Sequence, residues 1–395
     1  MTLLSDHLGV APRKRDMAWL HDALQSAIAL EHATLPLYLN AMFSLQTQGY
    51  TVYNLIRSVS MEEMVHMAIA CNILAAIGGT PQIAKLNPQF PANGLPGGAE
   101  PDLHVVLAKV SKKQIKNFMR LEVPAFLLPP EYSDEQYPTI RNLYEAIRGA
   151  IKKNAAAVRE AMKKGGTSNQ IGDDIGFTTI TYTEGKDPLP QVYAAIDEIV
   201  LQGEGSPSCT LHAARFEGEE SHYCKYAEVF YGRRYQRPAG RVKLTRATEK
   251  QFFRGYPILP PEVENVLMVP SDGYAAVLKA DPNGATVEKA LTAFDQAYTN
   301  IMSDLDAMWN GPSAKSWPTF GAAVGAMGEL RVLGCFNIMK YQVPANVVAQ
   351  LKTLYPAEYA DLAAYTDLTA PVVYGPRFRN LNAASNGGRA SSPPQ

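Results

Sequence analysis

Apolar residues between positions 16 and 46 return at helical intervals, with Leu20, Leu24, Ala27, Ile28, Leu35, Leu39 and Met42 recurring along the run. This predicts one long helix, kinked at Pro36, where a backbone donor is lost. Gln48, Gly49 and Tyr50 read as a turn. A second helix is predicted over about 52–77, stopped by Gly78-Gly79 with Pro81 just beyond, and the two helices form an αα-hairpin. The Pro/Gly-rich stretch LNPQFPANGLPGGAEPDL that follows looks too irregular for regular structure and is placed to act as a lid. A short helix over about 112–122 ends at Val123-Pro124. A longer one over about 140–163 carries Leu143, Ile147, Ile151, Ala155 and Val158 on one face. GFTTITYTEG reads as a short β-excursion, and helices are expected over about 189–202 and 218–231. Beyond a loop-rich segment to about 272, further helices are expected near 287–309, 317–339 and 345–355.

The pattern is that of an all-α protein: a helical bundle over 16–235 with a long loop-rich insertion, a C-terminal loop-rich and helical extension over 236–380, and a tail over 381–395. The tail, ending NAASNGGRASSPPQ, has the composition of a disordered segment. Composition changes this picture little. The 395 residues are 46% hydrophobic and 19% charged, enough apolar material for a large core. A net charge of -1 offers no bulk attraction for nucleic acid or an anionic membrane. No apolar h-region follows the basic N-terminal cluster, and no stretch approaches the roughly 20 apolar residues of a membrane span. A cytoplasmic protein is expected, with no membrane partner, and homo-oligomer formation is compatible with such a chain. Cys71, Cys209, Cys224 and Cys335 form no Cys-x-x-Cys pair and are read as reduced thiols.

Two segments, Glu63-Met64-Val65-His66 and Glu219-Glu220-Ser221-His222, are Glu-x-x-His motifs on predicted helices. Residues three apart share a helix face, so a carboxylate and an imidazole can reach one metal ion or bridge to a second. Helical bundles hold paired iron or manganese with two such motifs and one Glu from each of two other helices. Glu31 stands in the apolar run Ile28–Leu35, where a buried anion needs a partner or a metal. Position 47, at the turn, is midway between 31 and 63, so an antiparallel hairpin folded there brings Glu31 level with Glu63.

The second half of the site is open on residues alone. Glu204 closes one helix and Glu219 opens the next, so they can share a level. Glu145 reaches the same level if its helix runs antiparallel to the one ending at Glu204. Glu198 lies two turns earlier and reads as solvated or peripheral. Glu122 is either an ion-pair partner of Arg120 or an extra ligand. His32 neighbours Glu31 but projects about 100° away on a helix, and His21, His104 and His212 read as surface or hydrogen-bonded histidines. Tyr38 and Tyr223 read as packing residues close enough to a site to influence it.

At these residues the chain resembles a known family: the ferritin-like domain of the iminophenyl-pyruvate dimer synthase type found in violacein- and rebeccamycin-type pathways. The resemblance rests on ALQSAIALEHATLPLYLNAMFSL, IRSVSMEEMVHMAIACNILAAIGGTP, FPANGLPGG, FMRLEVP, LYEAI, IVLQGEGS and EESHYCKYAEVFYG, in that order over about residues 20–232. It implies a ferritin-like bundle and an iron-type site at Glu31, Glu63, His66, Glu204, Glu219 and His222. Glu122 and Glu145 stand in recurring family phrases and enlarge the candidate set. The named synthases are much longer chains, and this one corresponds to their ferritin-like portion plus a C-terminal extension, so imine dimerisation is not carried over. The expected function is a non-haem di-iron, O₂-dependent oxidase or oxygenase acting on a small, amino-acid-derived metabolite. A dimanganese, peroxide-handling enzyme and a non-catalytic iron-binding protein are the alternatives.

Overall fold

The computed structural model describes residues 2–383 apart from 48–49, 130–131, 133–136, 167–169, 173–177, 204, 206–207, 212–217, 269–273, 312–315 and 355. The helices are α1 (Leu4–Gly9), α2 (Met17–Phe43), α3 (Thr51–Ala76), α4 (Lys112–Leu121), α5 (Ile140–Lys153), α6 (Ala155–Ala161), α7 (Leu189–Gly203) and α8 (His222–Tyr231). The C-terminal part adds α9 (Tyr274–Lys279), α10 (Gly284–Asn310), α11 (Ser316–Val332), α12 (Ala345–Leu354) and α13 (Pro356–Tyr365). The all-α class is correct.

Side-chain caps explain several helix starts. Asp16, Ser111, Thr139 and Ser221 each accept a backbone N–H from the first turn of α2, α4, α5 and α8. α2 runs unbroken through Pro36. α2 and α3 pack along each other as the expected hairpin, α5 and α7 lie against them, and α8 joins α3 to α4. Both hairpin helices are buried nearly all round, which is why neither shows a strong polar face. Among the described residues only α3 is long and apolar enough to cross a membrane, and 89% of its apolar window is buried inside the fold.

Four sequence expectations need correction. The Pro/Gly-rich excursion is partly regular: β1 (Ala92–Leu95) and β2 (Ala99–Val105) pair antiparallel, with an irregularity between Asn93 and Leu95. Gly94 makes this possible, at φ 75 and so close to the opposing strand that a Cβ would lie 2.4 Å from the Ala99 carbonyl oxygen. The expected strand at GFTTITYTEG is absent among its described residues, 178–185. There the backbone groups of Thr178, Ile180 and Thr181 bond to the side chains of Asn72, Gln170 and Gln191 instead. The helix expected over 140–163 breaks at Asn154, whose side chain donates to the carbonyls of Ala150 and Arg15. Finally, Cys209 and Cys224 are not thiols but a disulfide with Cα atoms 5.9 Å apart, leaving Cys71 and Cys335 free.

The C-terminal helices lie against the α2–α3 hairpin. Trp309 Nε1 donates to Asn72 Oδ1 (2.9 Å), and Asp306 accepts the backbone N–H groups of Ile83 and Ala84. A two-residue parallel pair, β3 (Val266–Leu267) with β4 (Val373–Tyr374), ties the chain's end to its middle. Leu381 N donates to Thr299 Oγ1, so the tail's first residues are held. Residues 384–395, the rest of the expected disordered segment, lie outside the described residues.

Candidate metal centre

Five side chains from four helices converge inside the bundle. Glu31 comes from α2, and Glu63 and His66 from successive turns of α3. Glu122 caps the C-terminus of α4, and His222 opens α8. His222 is 0% exposed and the other four are buried. His222 Nδ1 lies 2.7 Å from Glu63 Oε1 and 3.5 Å from Glu122 Oε2. His66 Nδ1 lies 3.8 Å from Glu63 Oε1 and 4.0 Å from Glu31 Oε2. One ligand atom each from Glu63, His66 and His222 fall within 4.8 Å of one another, the spacing of a shared cation.

The two imidazoles are held alike. His66 Nε2 bonds Gln202 Oε1 (2.9 Å), and His222 Nε2 bonds Glu62 Oε2 (2.9 Å), which also accepts from Lys225 Nζ at 2.7 Å. Each ring therefore spends Nε2 on an outer partner and turns Nδ1 to the carboxylates. This is how proteins orient metal-binding histidines. The carboxylates are anchored too: Tyr144 Oη donates to Glu31 (2.6 Å), Thr34 Oγ1 to Glu63 (3.1 Å) and Tyr38 Oη to Glu122.

The electrostatics of the cluster suit a bound cation. Burial, with Glu63 nearby, pushes Glu31 well above the usual carboxylate range, and Glu122 is raised for the same two reasons. Burial and then His222 bring His66 down to about 4, leaving a neutral imidazole fit to ligate. Burial disfavours a charged His222, but Glu122, Glu62 and Glu63 outweigh it and hold its affinity for a proton well above the ordinary value. Burial likewise opposes ionisation of Glu62, yet His222 and Lys225 prevail and set it at about 2. His222 Nδ1 nevertheless makes no well-directed hydrogen bond. A buried donor crowded by carboxylates it cannot properly bond is the position a metal ion would take. The donor set fits one: carboxylates and imidazoles suit iron, manganese and zinc.

Glu31, Glu63, His66, His222 and Glu122 are thus brought together. Glu122 does not pair with Arg120, which bonds Glu100 at 2.8 Å. Glu204 lies outside the described residues, as does His212. Its neighbour Gly203 does reach the centre, since a Cβ there would sit 3.4 Å from Glu122 Oε2. Glu145 and Glu219 are corrections. Glu145 is half exposed on the outer face of α5, beside Arg148. Glu219 is exposed because Ser221 starts the helix at His222. Glu219 then sits on the extended approach to α8, and three-residue spacing no longer means a shared face. Glu198 accepts from Thr178 away from the cluster. His21 and His104 hydrogen-bond elsewhere, His32 bonds Tyr298, and Tyr223 bonds Glu249.

Sequence reasoning missed Glu62, Lys225, Gln202 and Tyr144. Two signals were available: a second acid beside Glu63 in an apolar run, and a lysine one turn after His222 on a helix whose only other charged residue is Glu228. Buried ions at such places need each other.

A narrow void of about 50 Å³ reaches the cluster, lined by Glu31, Glu63, His66 and Glu122 and, further out, by Glu100 and Arg141. The residue 86–101 segment proposed as a lid contributes Glu100 to this wall.

A family model described as ferritin-like matches residues 24–231. No curated protein matches the sequence. Among solved structures, a ferritin-like protein from Caulobacter vibrioides superposes with a TM-score of 0.56 at 20% identity, covering 81% of this chain and 95% of that one. At that identity it speaks for the fold alone.

Proposed function

Because the chain belongs to the ferritin-like family, we propose that the buried Glu/His cluster is a non-haem di-iron centre of an O₂-dependent oxidase or oxygenase. The carrying observation is the pair of imidazoles, each fixed by an outer partner with Nδ1 facing two of three buried carboxylates. Glu31, Glu63, His66, Glu122 and His222 would hold the ions, with Glu204 proposed as a further carboxylate. Bound iron would supply the electrons and the open coordination positions that O₂ chemistry needs. The chain's own part is to exclude bulk water, keep His66 neutral and hold the carboxylates in place through Tyr38, Thr34 and Tyr144. The resemblance to the dimer-synthase type supports an amino-acid-derived substrate, and Arg141 on the wall of the void offers a positive group for its carboxylate.

The test is anaerobic loading with Fe(II), metal counting, and rapid mixing with O₂. About two irons per chain and O₂ consumption that disappears in His222→Ala support the reading. Fewer than about one metal per chain sinks it, and iron binding without O₂ consumption leaves an iron-binding protein.

The void of about 50 Å³ favours a second reading. It admits a few water-sized molecules, enough for O₂ or peroxide, whereas an amino-acid-derived substrate reaching Arg141 would have to widen it. A dimanganese, peroxide-handling enzyme fits that size. Manganese in the purified protein, with peroxide breakdown and no organic oxidation, would select it.

A further inference from the structure

A second cavity, of about 710 Å³, lies between α2 and α3 on one side and α10 and α11 on the other. No residue of the metal cluster lines it. Its wall is overwhelmingly apolar and includes six methionines: Met42, Met61, Met64, Met67, Met302 and Met327. Unbranched thioether side chains adapt to the shape of what they enclose. Water in an apolar space of this size finds few hydrogen-bonding partners, so an apolar ligand that displaces it is favoured. The volume falls in the ordinary range for small-molecule sites.

The cavity has a direction. Along α3 its lining runs from Tyr53 to Ala68, a rise of about 22 Å at ~1.5 Å per residue. At the Tyr53 end stand two arginines. Arg57 lies one turn further along α3 and is exposed, and the Arg331 guanidinium lies 5.7 Å from the centre of the Tyr53 ring. At the other end is Trp309, held by Asn72, one turn beyond Ala68. Among the described residues the lining contains both arginines and no carboxylate. It is a long apolar space with cationic groups at one end.

We propose that this cavity binds a single-chain, long-chain carboxylate of the fatty-acid class. The carboxylate sits at the Arg57 and Arg331 end, and the hydrocarbon chain runs along α3 toward Trp309. The inference does not depend on the metal centre, because the two sites share no lining residue among the described ones.

The full-length protein, stripped of lipid, is titrated with oleate below its micellar range while tryptophan fluorescence is followed, with Trp309→Phe as the control that assigns the signal. The expected result is a saturable change at one oleate per chain that is lost in Trp309→Phe. Binding should weaken about tenfold or more in Arg57→Gln/Arg331→Gln, since each arginine contributes a charge-assisted contact. Both arginines lie at the cavity's outer end, so this variant should keep its fold. Ala68→Phe, which fills the interior, should abolish binding with circular dichroism unchanged. Oleyl alcohol, with the same chain and no charge, should bind much more weakly. Absence of saturable binding overturns the proposal. So does an alcohol affinity equal to that of oleate, or oleate binding that the double arginine variant leaves unchanged.

Discussion

Glu62 holds two cations' worth of hydrogen bonds on one buried oxygen, His222 Nε2 at 2.9 Å and Lys225 Nζ at 2.7 Å. Removing its charge therefore has two separable effects. Glu62→Gln leaves Lys225 buried without an anion, which should cost about 3–5 kcal/mol in denaturant melts. It also weakens the orientation of His222, so affinity for Fe(II), measured by chelator competition, should fall about 10–100-fold. Adding Lys225→Met to that variant should restore most of the stability and none of the metal affinity. If both return together, Glu62 is serving only the lysine. At this scale half of the centre was legible beforehand. Glu31, Glu63 and His66 follow from helical spacing and the hairpin turn, which depend only on local geometry. Glu62 and Lys225 do not, because whether two buried ions meet depends on how α3 and α8 are docked.

The elements show where local rules held and where they stopped. Ser221 caps α8 at Cys224 N, so the helix begins at His222 rather than near Gly218, and Glu219 falls outside it. A competing N-cap three residues inside an otherwise helical pattern is a readable signal, and it outweighs the Glu-x-x-His spacing. The same helix start is tied down by the Cys209–Cys224 disulfide, which closes a loop over a sequence separation of 15 residues. Reducing it, or replacing both cysteines with serine, should lower stability by about 3 kcal/mol in chemical denaturation, the entropy of a loop that length. Because Cys224 is two residues from His222, metal affinity should fall with it. An unchanged affinity would mean that Ser221 and Glu62 suffice to place His222.

α1 carries its own pH dependence. It docks on α2 through His7 Nε2, 3.0 Å from Ser26 Oγ, with the Trp19 ring edge-on to the imidazole. Burial lowers the proton affinity of His7, although Asp22 and Asp6 pull the other way. A histidine whose folded pKa lies below its unfolded value gives stability that is full above the unfolded pKa of about 6.5. That stability is lost as the pH falls below it. Hydrogen exchange of residues 4–9 should accelerate on acidification below about 6.5, and His7→Gln should flatten that response. Faster exchange toward alkaline pH, beyond the intrinsic rate, would reverse the sign and reject the account.

At the scale of the whole molecule, the pattern along the chain leads one to expect a division between bundle and C-terminal extension near residue 236, but the contacts that cross that point were not legible there. Asn72, 0% exposed on α3, accepts from Trp309 Nε1 on α10 and from Ile171 N, and donates to the carbonyls of Ile171 and Thr178. One amide thus closes three segments around the hairpin. Which distant donor a buried asparagine meets is a property of the assembled fold, so no periodicity announces it. Asn72→Ala would strand a buried indole N–H and a buried backbone N–H, and each stranded donor costs about 1–3 kcal/mol. A loss of about 3 kcal/mol or more is expected, with circular dichroism and tryptophan fluorescence still melting together, because α3 and α10 share the broken contact. A chain ending at residue 240 should fare worse. It would expose Leu35, Leu39, Met64 and Ala68, which now face α10 and α11 across the large cavity. Such a fragment should aggregate or bind hydrophobic dye, whereas a soluble, cooperatively melting fragment would establish that the bundle folds without its extension.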